Sequence, residues 1–535
     1  MKKKVLINPI ALLLFALLLS AFSVHHCLAQ NCTKPTAADY LNGNDISALI
    51  KNDGSHFYNS TGMVAAFEVP KNSGKTSIYA SALWMGGWSL PEHQGTLHLA
   101  AMRFGQNGFD FRAGPVSSGG TEAYEYYDHL WKVTKEEIDY HRVHYADAGY
   151  TMPWAIANWP AHGRSEYGES AHLAPYKNVA GTASYEPTLG DYPLIHGDQA
   201  IFFIMNDVGT HTETGGNPLK VEILGMAYAY NSPETLQHCI FLSYELRNKS
   251  EQDYHDFYLG FWNDFDIGYA QDDYIGCDTL LNLSYGYNGY EIDGTGQVEA
   301  YGANPPAQGA MFLNHKMNSF LYYNNSAEPI NGEPRKGHPE DMYNYLTATW
   351  LNGSHVTYGG YGTNPESTYT NYMYSGDPVA GTGWTELNNF PGDRRGVMST
   401  SSFTFSAGKT ITLDIALPWA RDNFGTNNIS SVALLKQSAE DIQKFYNDEI
   451  VGIQENTPYN NNLLIYPNPS NGQFIITGET VIESIEVYDM LGKKVFTDTP
   501  KMQTTQINTR LPQGLYLYRV VLQDNSISSG KILVQ

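Results

Sequence analysis

The densest chemistry in this chain of 535 residues is an acidic run, Asn263-Asp264-Phe265-Asp266-Ile267-Gly268, which continues to Asp272, Asp273 and Asp278. Asp at i and i+2 followed by glycine is how many loops set hard carboxylate oxygens around Ca²⁺, at about 2.3–2.6 Å. The run is not an EF-hand, because the twelfth position counted from Asp264 is Ile275 rather than Glu. Ca²⁺ is the favoured ion, since Cys277 is the one soft ligand present. Five carboxylates between positions 264 and 278 repel one another unless they are solvated, protonated or neutralised. The competing reading is a solvated acidic turn between strands, since Asp and Asn are common turn formers. Asp264, Asp266, Asp272, Asp273 and Asp278 are therefore expected to include the ligands of a structural cation.

Histidine and nucleophile chemistry is thinner. His141 and His144 stand three apart between Asp139 and Asp147, a spacing that sets two imidazoles on one side of a helix, where they could hold Zn²⁺. No HExxH occurs and His162 is the one further candidate ligand, so surface or packing histidines are the plainer reading. There is no G-x-S-x-G, no P-loop and no dinucleotide fingerprint. Cys239 with the distant His255 is a combination that chance supplies easily. Glycoside hydrolysis asks only for two carboxylates flanking the bond, and Trp84, Trp88, Trp131, Trp154, Trp159 and Trp262 could stack on sugar rings. Core packing is the competing use of the same rings. No acid–base pair stands out.

The elements that must position these residues read as strands. Only 16% of residues are charged, while Gly 50, Pro 26 and Tyr 39 are generous, which disfavours a helical bundle. Lys+Arg 32 against Asp+Glu 55 gives −23, the wrong sign for a nucleic-acid binder. From about position 62 to 416 short apolar and aromatic stretches alternate with turn residues, as in a sandwich or barrel. Ile201-Phe202-Phe203-Ile204-Met205 is continuously apolar, as a strand buried on both faces would be. Phe403-Thr404-Phe405 and 410–415 alternate with period two, on either side of the turn 406–409. Two helices stand out. Thr134 with Glu137 is a capping box. Ser431 precedes Val432, Leu435, Ala439, Ile442 and Tyr446 on one face, in a helix ending near Asp448.

The chain opens with Lys2, Lys3 and Lys4, an uncharged apolar run over 10–24, and Cys27-Leu28-Ala29. That order reads as a signal peptide cleaved after Ala29, too short for a comfortable membrane span. Losing three lysines takes the charge from −23 to −26. Cys32, Cys239 and Cys277 remain, and the spacing leaves pairing of the last two open. A polar stretch, 454–462, carries one Pro and four Asn and reads as a linker. Beyond it, strand patterns at 463–466, 473–477, 485–488, 494–496, 505–508, 515–521 and 531–534 fit a small immunoglobulin-like sandwich.

Within that last unit Tyr466-Pro467-Asn468-Pro469-Ser470-Asn471-Gly472, Val487-Tyr488-Asp489-Met490-Leu491-Gly492-Lys493, Leu511-Pro512-Gln513-Gly514-Leu515-Tyr516 and Lys531-Ile532-Leu533-Val534 resemble the type A sorting domain of type IX secretion cargo. The resemblance implies a Bacteroidetes-type bacterium and export across the outer membrane. It also implies removal of the domain, with the product released or attached to surface lipopolysaccharide. Leu83-Trp84-Met85-Gly86-Gly87-Trp88, Asp110-Phe111-Arg112-Ala113-Gly114-Pro115, Gly197-Asp198-Gln199-Ala200, Asn206-Asp207, the stretch 272–278 and Gly392-Asp393-Arg394-Arg395 resemble segments of large uncharacterised secreted proteins bearing the same domain. That second resemblance brings no catalytic residue with it.

The expectation is a mainly-β protein with few helices: signal peptide 1–29, a large sandwich-type central region 30–448 with room for two sub-domains, linker 449–462, and sorting domain 463–535. Its expected partners are the type IX machinery through 463–535, and glycans or surface lipopolysaccharide. No nucleic-acid partner and no transmembrane segment in the mature chain are expected. The reading is a non-catalytic structural or binding protein at the cell surface or secreted, stabilised by Ca²⁺. The alternative is a secreted hydrolase acting on polysaccharide.

Overall fold

A computed structural model describes residues 34–451 and 463–534, apart from 106–107, 426, 469, 490–492, 510 and 524–526. The signal segment 1–29, Cys32 and positions 452–462 of the linker lie outside the described residues. The chain forms two compact units, one ending at Ile442 and the other beginning at Gln443.

The first unit rests on two antiparallel sheets. Its principal strands begin with β1 (Ala80–Leu90), β2 (Gln94–Ala101), β3 (Gln199–Asn206), β4 (Val221–Ala229), β5 (Cys239–Asn248) and β6 (Tyr254–Phe265). They continue with β7 (Asp273–Asp278), β8 (Leu283–Asn288), β9 (Ala307–Phe312), β10 (Met317–Tyr323), β11 (Arg394–Thr400) and β12 (Thr410–Ala420). The larger sheet runs β3-β4-β5-β12-β9-β8-β7, with the short strands Arg112–Ala113 and Trp131–Thr134 both paired to β3. The smaller runs β10-β11-β6-β1, with β2 beside β1. The period-two alternation faces the sheets together. Ile201, Phe203 and Met205 of β3 and Leu242, Tyr244 and Leu246 of β5 join Leu83, Leu259 and Phe261 of the other sheet in one core. All of β3 is buried, as its unbroken apolar run requires. The short strand Phe403–Phe405 pairs with β6 while β12 pairs with β5, so the turn between them carries the chain from one sheet to the other.

Helices are few: α1 (Gly120–Tyr127), α2 (Lys135–His144), α3 (Trp154–Ala157), the four-residue Glu234–Gln237, α4 (Pro339–Leu346) and α5 (Ser430–Phe445) are those described as α. The capping box at Thr134 is formed in both directions: its hydroxyl accepts from Glu137 N, and Glu137 Oε2 accepts from Thr134 N. Val432, Leu435, Ala439 and Ile442 of α5 are buried, and a π-helical turn, Tyr446–Val451, follows it. Cys239 and Cys277 are buried and unpaired with each other.

The second unit comprises β13 (Leu463–Tyr466), β14 (Gln473–Tyr488), β15 (Lys494–Asp498), β16 (Met502–Asn508), β17 (Gly514–Leu522) and β18 (Ile527–Val534). The stretches expected as separate strands at 473–477 and 485–488 are one continuous strand, β14. Its first half pairs with β13 and β16, and its second half with β15 and β17. The result is a single curled sheet around Phe474, Ile476, Ile485, Val487, Val520 and Ile532. The motif after β13 closes the curl. Asn468 Nδ2 donates to Lys531 O at 2.8 Å, Leu533 N donates to Asn468 Oδ1 at 2.9 Å, and Ser470 N donates to Leu533 O at 2.9 Å.

One buried ion pair makes the stability of the first unit pH-dependent. Asp53, in the turn after the strand Ser47–Lys51, lies 2.8 Å from Lys51 Nζ and 3.3 Å from Lys34 Nζ, and Ser55 Oγ donates to it at 2.7 Å. Burial works to raise its pKa, but the two lysines and the serine overcome this and hold it at about 2, below the ordinary 3.8. A depressed carboxylate contributes stability above its unfolded pKa and loses it as pH falls through the folded one. The contribution, about 2 kcal/mol, is therefore complete at neutral pH and disappears between about pH 4 and pH 2. Asp53→Asn is expected to lower stability at pH 7 by that amount and to flatten this acid limb, as read from urea unfolding at a series of pH values.

Candidate functional site

The acidic run divides among three places. Asp264 sits near the end of β6, opposite Arg395 of β11 in the ladder, and its Oδ2 accepts from Arg395 Nε at 3.2 Å. Asp266 lies two residues on, the spacing that returns a side chain to the same face of an extended chain. Asp393 directly precedes β11. One carboxylate oxygen from each of Asp264, Asp266 and Asp393 lies within 4.8 Å of those of the other two. Asp264 Oδ1 and Asp393 Oδ1 are buried and have no hydrogen-bond partner. Burial, together with the Asp393 charge, pushes Asp266 up to about 8 against the pull of Arg395. Burial likewise pushes Asp264 up, with Arg395 opposing.

The other expected ligands serve elsewhere. Asp273 Oδ2 accepts from Ile267 N at 2.9 Å, and Asp272 Oδ2 accepts from Gly294 N at 2.9 Å. Asp293, which the sequence did not single out, accepts from Tyr269 N at 3.0 Å and from Tyr301 N in a short contact. These three carboxylates accept from backbone donors of the loops around β7, although Asp272 Oδ1 and Asp273 Oδ1 are buried without a partner. Gly268 is required there: its φ is +68°, and a Cβ would stand 2.1 Å from Asp293 Oδ2. Asp278 pairs with Lys436 at 3.0 Å. Asp393 was visible in the sequence only as part of the Gly392-Asp393-Arg394-Arg395 segment. It is the pairing of β6 with β11 that carries it to Asp264 and Asp266.

Arg395 also donates to Asn325 Oδ1 at 2.6 Å and to Glu333 Oε2 at 2.8 Å. Glu333 continues to Arg103 at 2.6 Å, and Arg103 to Glu213 at 2.8 Å. The histidines weighed for zinc form no metal-holding group among the described residues, as the plainer packing reading expected. His141 is buried, with Tyr150 Oη at 3.1 Å from Nδ1 and Asp191 O at 3.0 Å from Nε2. His144 faces Asp147 at 2.7 Å.

Of the six tryptophans, Trp84 and Trp262 are core residues, stacked with centroids 6.4 Å apart and no exposure. Trp88 is partly buried against the same core. Trp131, Trp154 and Trp159 instead line a cleft of about 470 Å³ with Tyr126, Tyr127, His129, Asn158, His162, Ser184 and Tyr185. Two of the lining indoles are backed by β3, whose Phe202 packs against Trp131 and Trp159 at 6.4 and 5.3 Å. The two buried indoles are pinned by their N–H groups, Trp131 to Asn158 O at 2.7 Å and Trp159 to Pro175 O at 2.9 Å. Trp154, presented by the short α3, is 52% exposed and lies nearly parallel to Trp131, 20° between planes at 6.5 Å. Tyr126 is 58% exposed, with the Arg164 guanidinium 4.4 Å over its ring. His162 Nδ1 meets Ala171 O at 2.8 Å, whereas its Nε2 has no partner. None of the described residues lining the cleft is Asp or Glu. The cleft therefore offers flat apolar faces and a few polar atoms, a combination that binds and orients a ligand.

Residues 464–535 match the secretion system C-terminal sorting domain. The chain carries a sorting tail. It is type IX cargo, exported to the medium or the cell surface, and no helix among the described residues is long and apolar enough to cross a membrane. No curated protein matches the sequence. Among solved structures, a polysaccharide lyase is 9% identical over 59% of this chain, with a TM-score of 0.19. The match spans only 34% of the lyase. PorZ of Porphyromonas gingivalis, a surface component of the type IX secretion system, is 10% identical over 93% of this chain and 75% of its own, with a TM-score of 0.13. Neither likeness bears on the fold or role of this chain.

Proposed function

We propose that this exported protein is a non-catalytic binding protein of the cell surface or the medium, and that it takes carbohydrate in the aromatic cleft. The observation that carries the reading is Trp154: a large aromatic face left half in water, nearly parallel to a second indole, Trp131. Covering such a ring removes apolar area from water, which is favourable, and the C–H face of a sugar ring is one cover that fits its flat surface. Tyr126, 58% exposed, is a further lining residue whose phenol can give or take a hydrogen bond with a sugar hydroxyl. A hydrolase working in this cleft would need two carboxylates flanking the bond, and the lining supplies neither.

Trp154→Ala is expected to weaken oligosaccharide binding by about 2 kcal/mol, roughly thirtyfold, with only a small loss of thermal stability, because half of the ring already faces water. Calorimetry on a panel of bacterial and host glycans checks this. Unchanged affinity in the variant would remove the cleft from the reading. Release of reducing ends from the panel, abolished by one Asp or Glu substitution, would replace it with the hydrolase.

A further inference from the structure

We propose that Asp264, Asp266 and Asp393 form a binding site for a hard divalent cation, Ca²⁺ in class, that ties the end of β6 to the start of β11. The site is independent of the aromatic cleft. Three acidic residues alone would not carry it, but two of them hold atoms that want a ligand. Asp264 is 1% exposed, its Oδ2 is taken by Arg395, and its Oδ1 is left buried and unpartnered. Asp393 repeats the pattern: Oδ2 accepts from Asn325 Nδ2 in a short contact, while Oδ1 is buried and unpartnered. A buried acceptor without a donor is costly, and a cation satisfies both at once.

The charge balance points the same way. Glu213, Arg103, Glu333, Arg395 and Asp264 form a continuous chain of ion pairs, to which Asp266 and Asp393 are added. That is five carboxylates to two guanidinium groups, a surplus of three negative charges when all are ionised. Arg395 lies against one side of the cluster and does not reach Asp264 Oδ1 or Asp393 Oδ1. The chemistry favours calcium over magnesium: three carboxylates with water completing the shell suit the flexible coordination of Ca²⁺, whereas Mg²⁺ demands near-octahedral geometry and gives up its waters reluctantly. Water would complete the shell, since Asp266 and Asp393 are only partly buried.

Calcium titration of the full-length chain by calorimetry, with melting followed in Ca²⁺ and in chelator, tests the site. Expected are saturable binding, a higher melting temperature in Ca²⁺ than in chelator, and a smaller rise in Mg²⁺. Asp393→Asn should weaken Ca²⁺ binding by about tenfold or more. It should remove the thermal increment while melting like the wild type in chelator. Asp278→Asn, whose carboxylate is paired with Lys436, should keep the full response. Should Asp264→Asn fail to fold, Asp393→Asn, at a partly exposed position outside the strands, still decides. Absence of heat and of any melting shift in millimolar Ca²⁺ would overturn the proposal. So would a wild-type response in Asp393→Asn, or its loss in Asp272→Asn with Asp393→Asn unaffected.

Discussion

Deletion of residues 463–535 is expected to abolish appearance of the protein outside the cell, leaving it in the periplasm of a host competent for type IX secretion. The deleted segment holds the core of the second unit, in which Phe474, Ile476, Ile485, Val487, Val520 and Ile532 are buried together. Removing it takes no strand from the two sheets of the first unit. Export, rather than folding of the cargo, is thus what the deletion tests, and circular dichroism of the retained product should show its strands intact. Asn468→Ala should give a graded version of the same defect. Its side chain both donates to Lys531 O and accepts from Leu533 N, so its loss frees the C-terminal strand from the segment that closes the curl. Immunoblots of medium, surface and periplasmic fractions read both variants. Normal surface delivery of the truncated chain would show that the tail is dispensable for export.

Arg394→Met is expected to destabilise the first unit by about 3–5 kcal/mol, the largest effect of any single substitution considered. Arg394 is 5% exposed and donates through Nε to Glu386 Oε2 at 2.9 Å and through Nη2 to Phe390 O at 2.6 Å, with its guanidinium 5.0 Å from the Tyr322 ring. Glu386 is wholly buried, and its other donor through Oε2 is Ile275 N at 2.7 Å. Methionine fills much of the arginine's volume but leaves that carboxylate in a low-dielectric interior without its cation. Burial already raises the Glu386 pKa, with Arg394 the principal force against it. The double variant Arg394→Met, Glu386→Gln should recover much of the loss, because it removes the stranded charge along with its partner. Urea unfolding of the wild type, the two single variants and the double variant measures the coupling. Equal costs for the single and double arginine variants would show that the guanidinium acts through packing alone.

The two pairs built into the 392–395 segment explain why it reads as a signature without chemistry. Arg394 and Arg395 follow one another in a strand and so point to opposite faces, one toward Glu386, the other toward Asp264. The same holds for two other segments singled out in the sequence. Asp110 accepts from Glu213 N and Thr214 Oγ1, and Asp207 from Leu219 N and Val221 N, each organising a loop that adjoins the sheets.

What the sequence determined by itself was everything local in origin. Period-two alternation placed the strands, the unbroken run at 201–205 announced a strand buried on both faces, and Thr134 with Glu137 announced a helix start. The tail was legible for the same reason, since its motifs are turns and strand ends whose residue types are dictated within a few positions. The candidate sites were only half legible. Asp264 and Asp266 share a face because they are two apart on an extended chain, but Asp393 joins them through a ladder pairing across more than a hundred residues. The same tertiary placement sent Asp272, Asp273 and Asp278 to backbone donors and Lys436. Nor could composition separate Trp84 and Trp262, buried beneath Phe104 and Tyr323 on the face of the smaller sheet opposite Leu83 and Phe261, from Trp131, Trp154 and Trp159 around the cleft. Apolar type is equal for both sets, and burial is a property of what distant segments of the chain cover. Local patterning chooses the strands, and only their non-local pairing decides which carboxylates meet and which aromatic face is left to water.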